Sequence, residues 1–448
     1  MSYQNWKEEY KRKTVSMEEA VKSVRSGDFV AIALGVGACS TDVYNALFDH
    51  CQGLERVRIV DTVQLRAAKL YHPQLMAPIM DKIEYVPAFG MAPIRKIHQA
   101  TIPDFFPAMT SDGGDKVAQR ADVFMVMTTP PNKQGYVNLG LTNFYSLQTV
   151  KDGKASGRLR VAIAEVNENM PVVFGNNWLH VSEFDHFIEH NTTIPAFGRG
   201  APKEMEIKIG QYILELINDG DTIQMGLGGI PEFVVQGLEG KRDLGVVTEL
   251  IPIGLNQLVE KGIVTNARKP LHPGVSLATF CIGDNDLYEF VRENPSVEMH
   301  PGCYTNDPAF ISQHPNLVAI NMALMIDFSG QIASEGMGHR QISGSGGQLD
   351  FMIGAFWSKG GKGVSVLSAA RTMPDGSLSS SIVPDLPAGT PITVPRTFAQ
   401  YVVTEYGIAN LKYKTRRERA EELIAISHPD LRGELRSSLK RVFYPRPT

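Results

Sequence analysis

The feature that most constrains this chain is that it repeats itself. MEEAVKSVRSGD (Met17–Asp28) runs into FVAIALGVGACS, and far downstream IGQYILELINDGD runs into TIQMGLGGIPEF. At one constant spacing Gly27-Asp28 stands opposite Gly220-Asp221, and Leu34-Gly35 opposite Leu227-Gly228. VRIVDT (Val57–Thr62) then matches LGVVTE (Leu244–Glu249), and ADVFMVMTTPPNKQGYVNLG (Ala121–Gly140) resembles LVAINMALMIDFSGQIASEG (Leu317–Gly336). Similarity on this scale means two copies of one α/β domain, not a solenoid of short repeats. Each copy alternates short apolar runs with helical patterns, which predicts largely parallel sheets. At 448 residues the chain is also longer than one core normally serves. The polar, Pro- and Gly-containing stretch from His190 to Lys203 is the natural seam. We therefore expect an N-terminal domain over 1–197 and a C-terminal domain over 198–448, with the active-site cleft between them.

The second copy carries the chemistry. DGDTIQMGLGGIPEFVVQGLEGKRDLGVVTELIPIGL (Asp219–Leu255) reads as strand, glycine turn, helix and strand, with Pro231 in the first helical turn and a stop at Gly240. Its second strand delivers Glu249 at the carboxyl end, the edge of a parallel sheet where ligands bind. Two roles compete for Glu249. As a dinucleotide-site acid it would hold a ribose hydroxyl, but G-x-G-x-x-G requires a third glycine where this chain has Pro231. As a nucleophile it would work beside a glycine turn that approaches an acyl group or a phosphate. The first copy has Thr62 in place of Glu249 and ALGVGA in place of GLGGIP. A carboxylate in one copy alone suggests one chemical centre per chain.

A second glycine cluster, MIDFSGQIASEGMGHRQISGSGGQLDFMIGAFWSKGGKG (Met325–Gly363), has the most unusual composition in the chain. SGSGG (Ser343–Gly347) offers successive backbone N–H groups that can cradle a phosphate or hold an oxyanion. SKGGKG sets Lys359 and Lys362 among glycines, which suits an anionic phosphate. FMIGAFW and VSVLSAA between the glycines are strand-like runs. G-x-S-x-G is not met around Ser343 or Ser345, so a serine hydrolase elbow is disfavoured, and His339 has a structural reading as good as a catalytic one.

Composition narrows the class further. A net charge of -4 gives no electrostatic footprint for nucleic acid. No apolar run reaches membrane-spanning length, and MSYQNWKEEYKRKT is charged and lacks the apolar core of a signal peptide. The expectation is a cytoplasmic protein with no membrane or nucleic-acid partner. Cys39, Cys51, Cys281 and Cys303 form no C-x-x-C pair, so reduced thiols are expected in place of a metal or redox site; only Cys39, in a glycine-containing turn, invites a reactive reading.

GLGGIP, TEL with Glu249, GQIASEG, SGSGGQLDF, SKGGKG and VVTEYGIANL followed by RAEELIAISHPDLR together resemble the acetyl-CoA hydrolase/transferase family, which includes 4-hydroxybutyrate, butyrate, acetate and itaconate CoA-transferases. The resemblance extends over essentially the whole chain. It implies a family I CoA-transferase with two Rossmann-like α/β domains and Glu249 as nucleophile. It further implies CoA contacts at Gly226, Leu227, Gly228, Gly229 and Ile230, at Gly347 or its neighbour Gly346 close to the thioester, near Leu324, and a basic contact at Arg371 or Lys359. Glu249 would pass through an acyl anhydride to a glutamyl-CoA thioester, giving ping-pong transfer of CoA from an acetyl-, butyryl- or succinyl-CoA to a short-chain mono- or dicarboxylate. CoA is then a substrate, with no permanently bound cofactor and no metal, and a homo-oligomer is expected. Ile253-Gly254 replaces the polar Asp-Gly or Asn-Gly that follows the glutamate in many relatives, which bears on acyl choice. Arg95 in GMAPIR and Tyr136 in PPNKQGY are candidates for the acyl end. The competing readings are an acyl-CoA hydrolase on the same scaffold, an NAD-dependent dehydrogenase, and a non-catalytic binding relative.

Overall fold

The computed structural model describes residues 5–100, 103–198, 200–226 and 228–444. They form two compact α/β units, one of Met1–Gly198 with Leu277–Thr305 and one of Arg199–Ser276 with Asn306–Thr448.

The first unit is built on six strands: β1 (Phe29–Ile32), β2 (Val57–Val60), β3 (Ile83–Tyr85), β4 (Val123–Thr128), β5 (Val161–Val166) and β6 (His186–Glu189). They lie in the order β3-β2-β1-β4-β5-β6, every pair parallel. Parallel sheets are covered on both faces, so their strands read as continuous apolar runs. VFMVMT in β4 and VAIAEV in β5 are buried at every position. Alternation sends Val30, Ile32, Met125 and Ile163 into one core and Ala31, Phe124, Val126 and Ala162 into the other.

The second unit repeats the plan with β7 (Thr222–Met225), β8 (Gly245–Val246), β9 (Leu317–Met322), β10 (Lys362–Val366), β11 (Tyr401–Thr404) and β12 (Gly407–Asn410). The order is β8-β7-β9-β10-β11-β12, parallel throughout except for the β11–β12 hairpin. Strand for strand, β2-β1-β4-β5-β6 and β8-β7-β9-β10-β11 have the same order. The duplication read from the sequence is therefore a duplication of topology. Beyond it, the first unit adds β3 at one edge and the second adds β12 at the other.

Two expectations need correcting. The chain does not cross once at 197/198, because Leu277–Thr305 packs with the first unit. There Val297–Met299 pairs in parallel with Phe174–Gly175, Cys281 N–H donates to Leu141 O at 2.8 Å, and Asn143 N–H donates to Thr279 O at 2.9 Å. Short strands added to loops carry no boundary signal in composition, which is why only the first seam was visible. FMIGAFW, expected to be strand-like, is helix: it closes α3 (Gln348–Trp357), whose residues Phe351, Met352, Gly354 and Ala355 are buried. A short run apolar on several sides does not distinguish a buried helix from a strand.

The carboxyl end of β2 shows how the first copy differs. Asp61, at the position of Thr248 in the repeat, is 1% exposed. Its carboxyl accepts hydrogen bonds from the hydroxyls of Tyr44 on helix α1 (Thr41–Cys51) (3.0 Å), Tyr71 (2.5 Å) and Tyr85 (2.7 Å) and from Gln64 Nε2 (2.7 Å). Burial raises its pKa, and the four donors pull it part-way back. With its oxygens committed to these donors, this acid holds the core together. Asp61→Ala would leave three buried tyrosine hydroxyls and an amide without their acceptor. At roughly 1–3 kcal/mol for each unsatisfied group, we expect a clear fall in the urea unfolding midpoint of the purified protein, whereas Asp49→Ala, at an exposed ion pair with Lys69, should leave it nearly unchanged.

Candidate active site

The second unit places one carboxylate where its strands end. Glu249 follows β8, half-buried, at the carboxyl edge of the sheet. Thr248 sets its direction: fully buried, it donates its hydroxyl to Met225 O at the end of β7 (3.3 Å) and to Leu250 O (2.9 Å). The residues on both sides of Glu249 are thereby tied down, and the side chain is presented from a fixed backbone.

The carboxylate meets the glycine loop. Gly347 N–H donates to Glu249 Oε2 at 2.7 Å, and Gly347 is the cap from which α3 starts. The positive end of a ten-residue helix and one of its unpaired N–H groups thus face a carboxylate. Glycine is required here on steric grounds. A Cβ on Gly347 would lie 2.2 Å from Glu249 Oε2 and 2.4 Å from Asn306 Nδ2. Gly346 before it has φ +51°, a left-handed conformation suited to glycine.

Those distances reveal a residue that sequence reading passed over. Asn306 is fully buried beside Gly347 and Glu249, and neither its Oδ1 nor its Nδ2 has a hydrogen-bond partner among the described residues. A buried carboxamide left in this state is costly unless something else uses it. In sequence it sits in TNDP, which reads as a helix start, and Asp307 does cap the helix Pro308–Ser312. Nothing short of the fold separates Asn306 from that cap.

The remaining candidates divide by sheet edge. Gly226 follows β7 directly, and Gly228 caps α2 (Gly229–Gly237) with φ 124° and ψ 177°, a conformation open essentially to glycine alone. Among the described residues, chain neighbours apart, no atom lies within 4 Å of where a Cβ on Gly226 or Gly228 would stand. Gly229 begins α2, and Ile230 follows it with its side chain buried, which leaves the backbone of Ile230 as its possible ligand contact. Leu227 lies outside the described residues. Leu324 follows β9, half-buried, its N–H bonded to Ala333 O at 2.8 Å. Arg371, on the strand Ala370–Thr372 beyond the carboxyl end of β10, brings Nη2 to 3.5 Å from Met337 Sδ, and its buried Nε has no partner among the described residues.

Lys359 is not brought to this edge. Its carbonyl accepts from Asn316 N–H at 2.9 Å, immediately before β9 begins. Lys362, at the start of β10, donates to Leu216 O at 2.8 Å. Both lysines stand at the amino edge of a parallel sheet, and Glu249 stands at the carboxyl edge. SKGGKG is the end of α3 turning into β10, with Gly360 at φ +77°, and not a phosphate cradle. His339 is exposed in the tight turn between Gly336–Met337 and Arg340–Gln341. Burial first, and then Glu165, raises the Cys39 thiol well above its ordinary range, which argues against a nucleophilic Cys39. In the first unit Arg95 is exposed at the start of a short helix, and the Tyr136 ring packs on His180 at 5.0 Å.

Comparison with known proteins shows the family. The acetyl-CoA hydrolase/transferase N-terminal domain model matches residues 1–197, and the C-terminal domain model matches residues 283–439. The chain belongs to the acetyl-CoA hydrolase/transferase family. It is 36% identical to 4-hydroxybutyrate coenzyme A transferase of Clostridium kluyveri over 98% of this chain and 100% of that one. It is also 36% identical to succinyl-CoA:cyclohexane-1-carboxylate CoA transferase of Geobacter metallireducens, over 98% of this chain and 97% of the relative. Among solved structures, RipA from Yersinia pestis superposes with a TM-score of 0.88 at 31% identity, covering 98% of this chain and 99% of RipA.

Two substitutions test the geometry. Gly347→Ala should displace the Glu249 carboxylate and lower kcat by about 10²–10³, with circular dichroism unchanged. Asn306→Ala should lower kcat by a similar order without a matching rise in KM, because its carboxamide has no hydrogen-bond partner to lose among the described residues.

Proposed function

We propose that the chain is a CoA-transferase in which Glu249 is the covalent nucleophile. The observation that carries this reading is the Glu249 carboxylate held at 2.7 Å by the Gly347 N–H at the start of α3, beside an Asn306 carboxamide that has no partner among the described residues. One oxygen of Glu249 is oriented by the loop, and the same region supplies donors for charge that develops on a carbonyl.

Glu249 attacks the thioester carbonyl of an acyl-CoA. The C–S bond breaks, CoA leaves as thiolate, and an acyl-glutamyl anhydride forms. The thiolate returns to the glutamyl carbonyl, the donor acid leaves as carboxylate, and Glu249 carries CoA as a thioester. An acceptor carboxylate then runs the steps in reverse. Both attacking groups, carboxylate and thiolate, are already anionic, so no proton has to be removed by a base. Each attack puts negative charge on a carbonyl oxygen: Gly347 N–H, already on Glu249 Oε2, serves the attack on the glutamyl carbonyl, and Asn306 Nδ2, with Gly346 N–H, serves the attack on the thioester. One such donor is worth about 3 kcal/mol of barrier.

CoA lies along the open backbone at Gly226 and Gly228 and the start of α2 at Gly229, with Ile230 contributing backbone, Leu324 lying alongside and Arg371 supplying positive charge. The N-terminal ends of α2 and α3 favour its anionic groups. The nucleotide end, remote from the reaction, provides binding energy that can be used against the thioester. Donors are of the acetyl-, butyryl- or succinyl-CoA type, and acceptors are short-chain mono- or dicarboxylates of the 4-hydroxybutyrate, butyrate or itaconate class. The protein works in the cytoplasm as a homo-oligomer, with CoA as a substrate and neither a resident cofactor nor a metal.

Steady-state kinetics with butyryl-CoA and acetate, each varied at several levels of the other, tests the reading. Parallel double-reciprocal lines, and loss of thioester consumption when the acceptor is withheld, are expected. Thioester consumption at an unchanged rate without acceptor would make the protein a hydrolase.

A further inference from the structure

The donor loop Ile342–Gly347 consists largely of serine and glycine, residues that lose much conformational freedom when fixed in one arrangement. It nonetheless has to hold one N–H on a carboxylate oxygen. Its downstream end is held by α3. Its upstream end returns from the hairpin of Gly336–Met337 and Arg340–Gln341, and there two backbone ties converge on one residue. The backbone carbonyl of Glu335 accepts from Ile342 N–H at 2.8 Å and from Ser343 N–H at 2.9 Å. Its half-buried carboxyl accepts from Thr393 Oγ1 at 3.2 Å and is hydrogen-bonded by the Gln341 side chain. Thr393 is itself fixed: its hydroxyl accepts from Ser334 N–H at 3.0 Å, and its own N–H donates to Ile332 O at 2.9 Å. Gln341 Nε2 also donates to Ser343 O at 2.8 Å, tying the same side chain to the loop.

We propose that Glu335 is the positioning residue of the donor loop: clasped by Thr393 and Gln341, it holds Ile342–Gly347 in the arrangement that puts the Gly347 N–H on Glu249. Glu335 touches neither the nucleophile nor the substrate; it acts through the loop. The inference rests on the CoA-transferase reading for its kinetic consequence and on the hydrogen bonds alone for its structural one. Its requirement is an acceptor for the Thr393 hydroxyl, which a glutamine side chain also provides.

The test compares full-length wild type, Glu335→Ala, Glu335→Gln and Thr393→Val by amide hydrogen exchange over the 342–348 peptide and by kcat and KM with butyryl-CoA and acetate. Glu335→Ala and Thr393→Val should each speed exchange in that peptide and lower kcat by roughly tenfold or more, as expected for a misplaced oriented group. Glu335→Gln should restore both, and combining Glu335→Ala with Thr393→Val should cost less than the sum of the two, because the bond they share is lost only once. Wild-type exchange and wild-type kcat in Glu335→Ala would overturn the proposal, as would a Glu335→Gln variant no better than alanine. If Glu335→Ala does not fold, Glu335→Gln and Thr393→Val carry the comparison. Faster exchange in the variants of a protein whose wild type turns over no acyl-CoA would sustain the clasp and defeat the transferase reading.

Discussion

A single hydrogen bond organises the site: the Gly347 N–H to the Glu249 carboxylate, 2.7 Å long. For it to form, the residue at 347 can carry no side chain, because a Cβ would occupy the space that Glu249 Oε2 and Asn306 Nδ2 now share. The loop before it turns through a left-handed glycine at 346, and α3 begins at the same point, so the N–H has the positive end of the helix behind it. On the other side Thr248 fixes the backbone from which Glu249 projects. A nucleophilic carboxylate needs orientation without being neutralised, and a backbone donor at a helix N-terminus supplies that without introducing a second titratable group.

The duplicated topology shows how the two units differ at this edge. Both end their second strand in a short polar segment at the carboxyl edge. In the first unit the acid stands one place earlier, at Asp61, buried and enclosed by three tyrosine hydroxyls and Gln64. In the second unit that place is Thr248, whose hydroxyl satisfies backbone carbonyls, and the acid moves one residue on, where it is half-buried beside a glycine loop. A shift of one residue at the end of a strand turns an internal brace into a presented group.

Much of this could be read before the fold was known. The repeat gave the two parallel sheets because buried strands leave continuous apolar runs, and the acid that one copy has and the other lacks pointed to Glu249. The glycines at 228 and 346–347 have conformations or close approaches that admit little else. What escaped did so for physical reasons. Asn306 is separated from Glu249 in sequence and disguised by the adjacent cap at Asp307. Lys359 shares its glycine-rich surroundings with the Ser343–Gly347 loop, but only the strand direction shows that it lies at the opposite edge of the sheet. FMIGAFW is too short and too evenly apolar for its period to be read, and the return of Leu277–Thr305 to the first unit is made by short strands that leave no mark in composition. Glu335 was hidden for a related reason: its role depends on Thr393, which only the tertiary fold brings to it.

The central claim is that Glu249 becomes covalently attached to CoA, and intact-mass analysis tests it most directly. Wild type and Glu249→Ala would each be incubated with acetyl-, butyryl- or succinyl-CoA in the absence of an acceptor acid. The account predicts a CoA-sized adduct on the wild type, mapped to the peptide containing Glu249, and none on the variant. Steady release of free CoA without any adduct on the wild type, or an adduct that persists in Glu249→Ala, would contradict it.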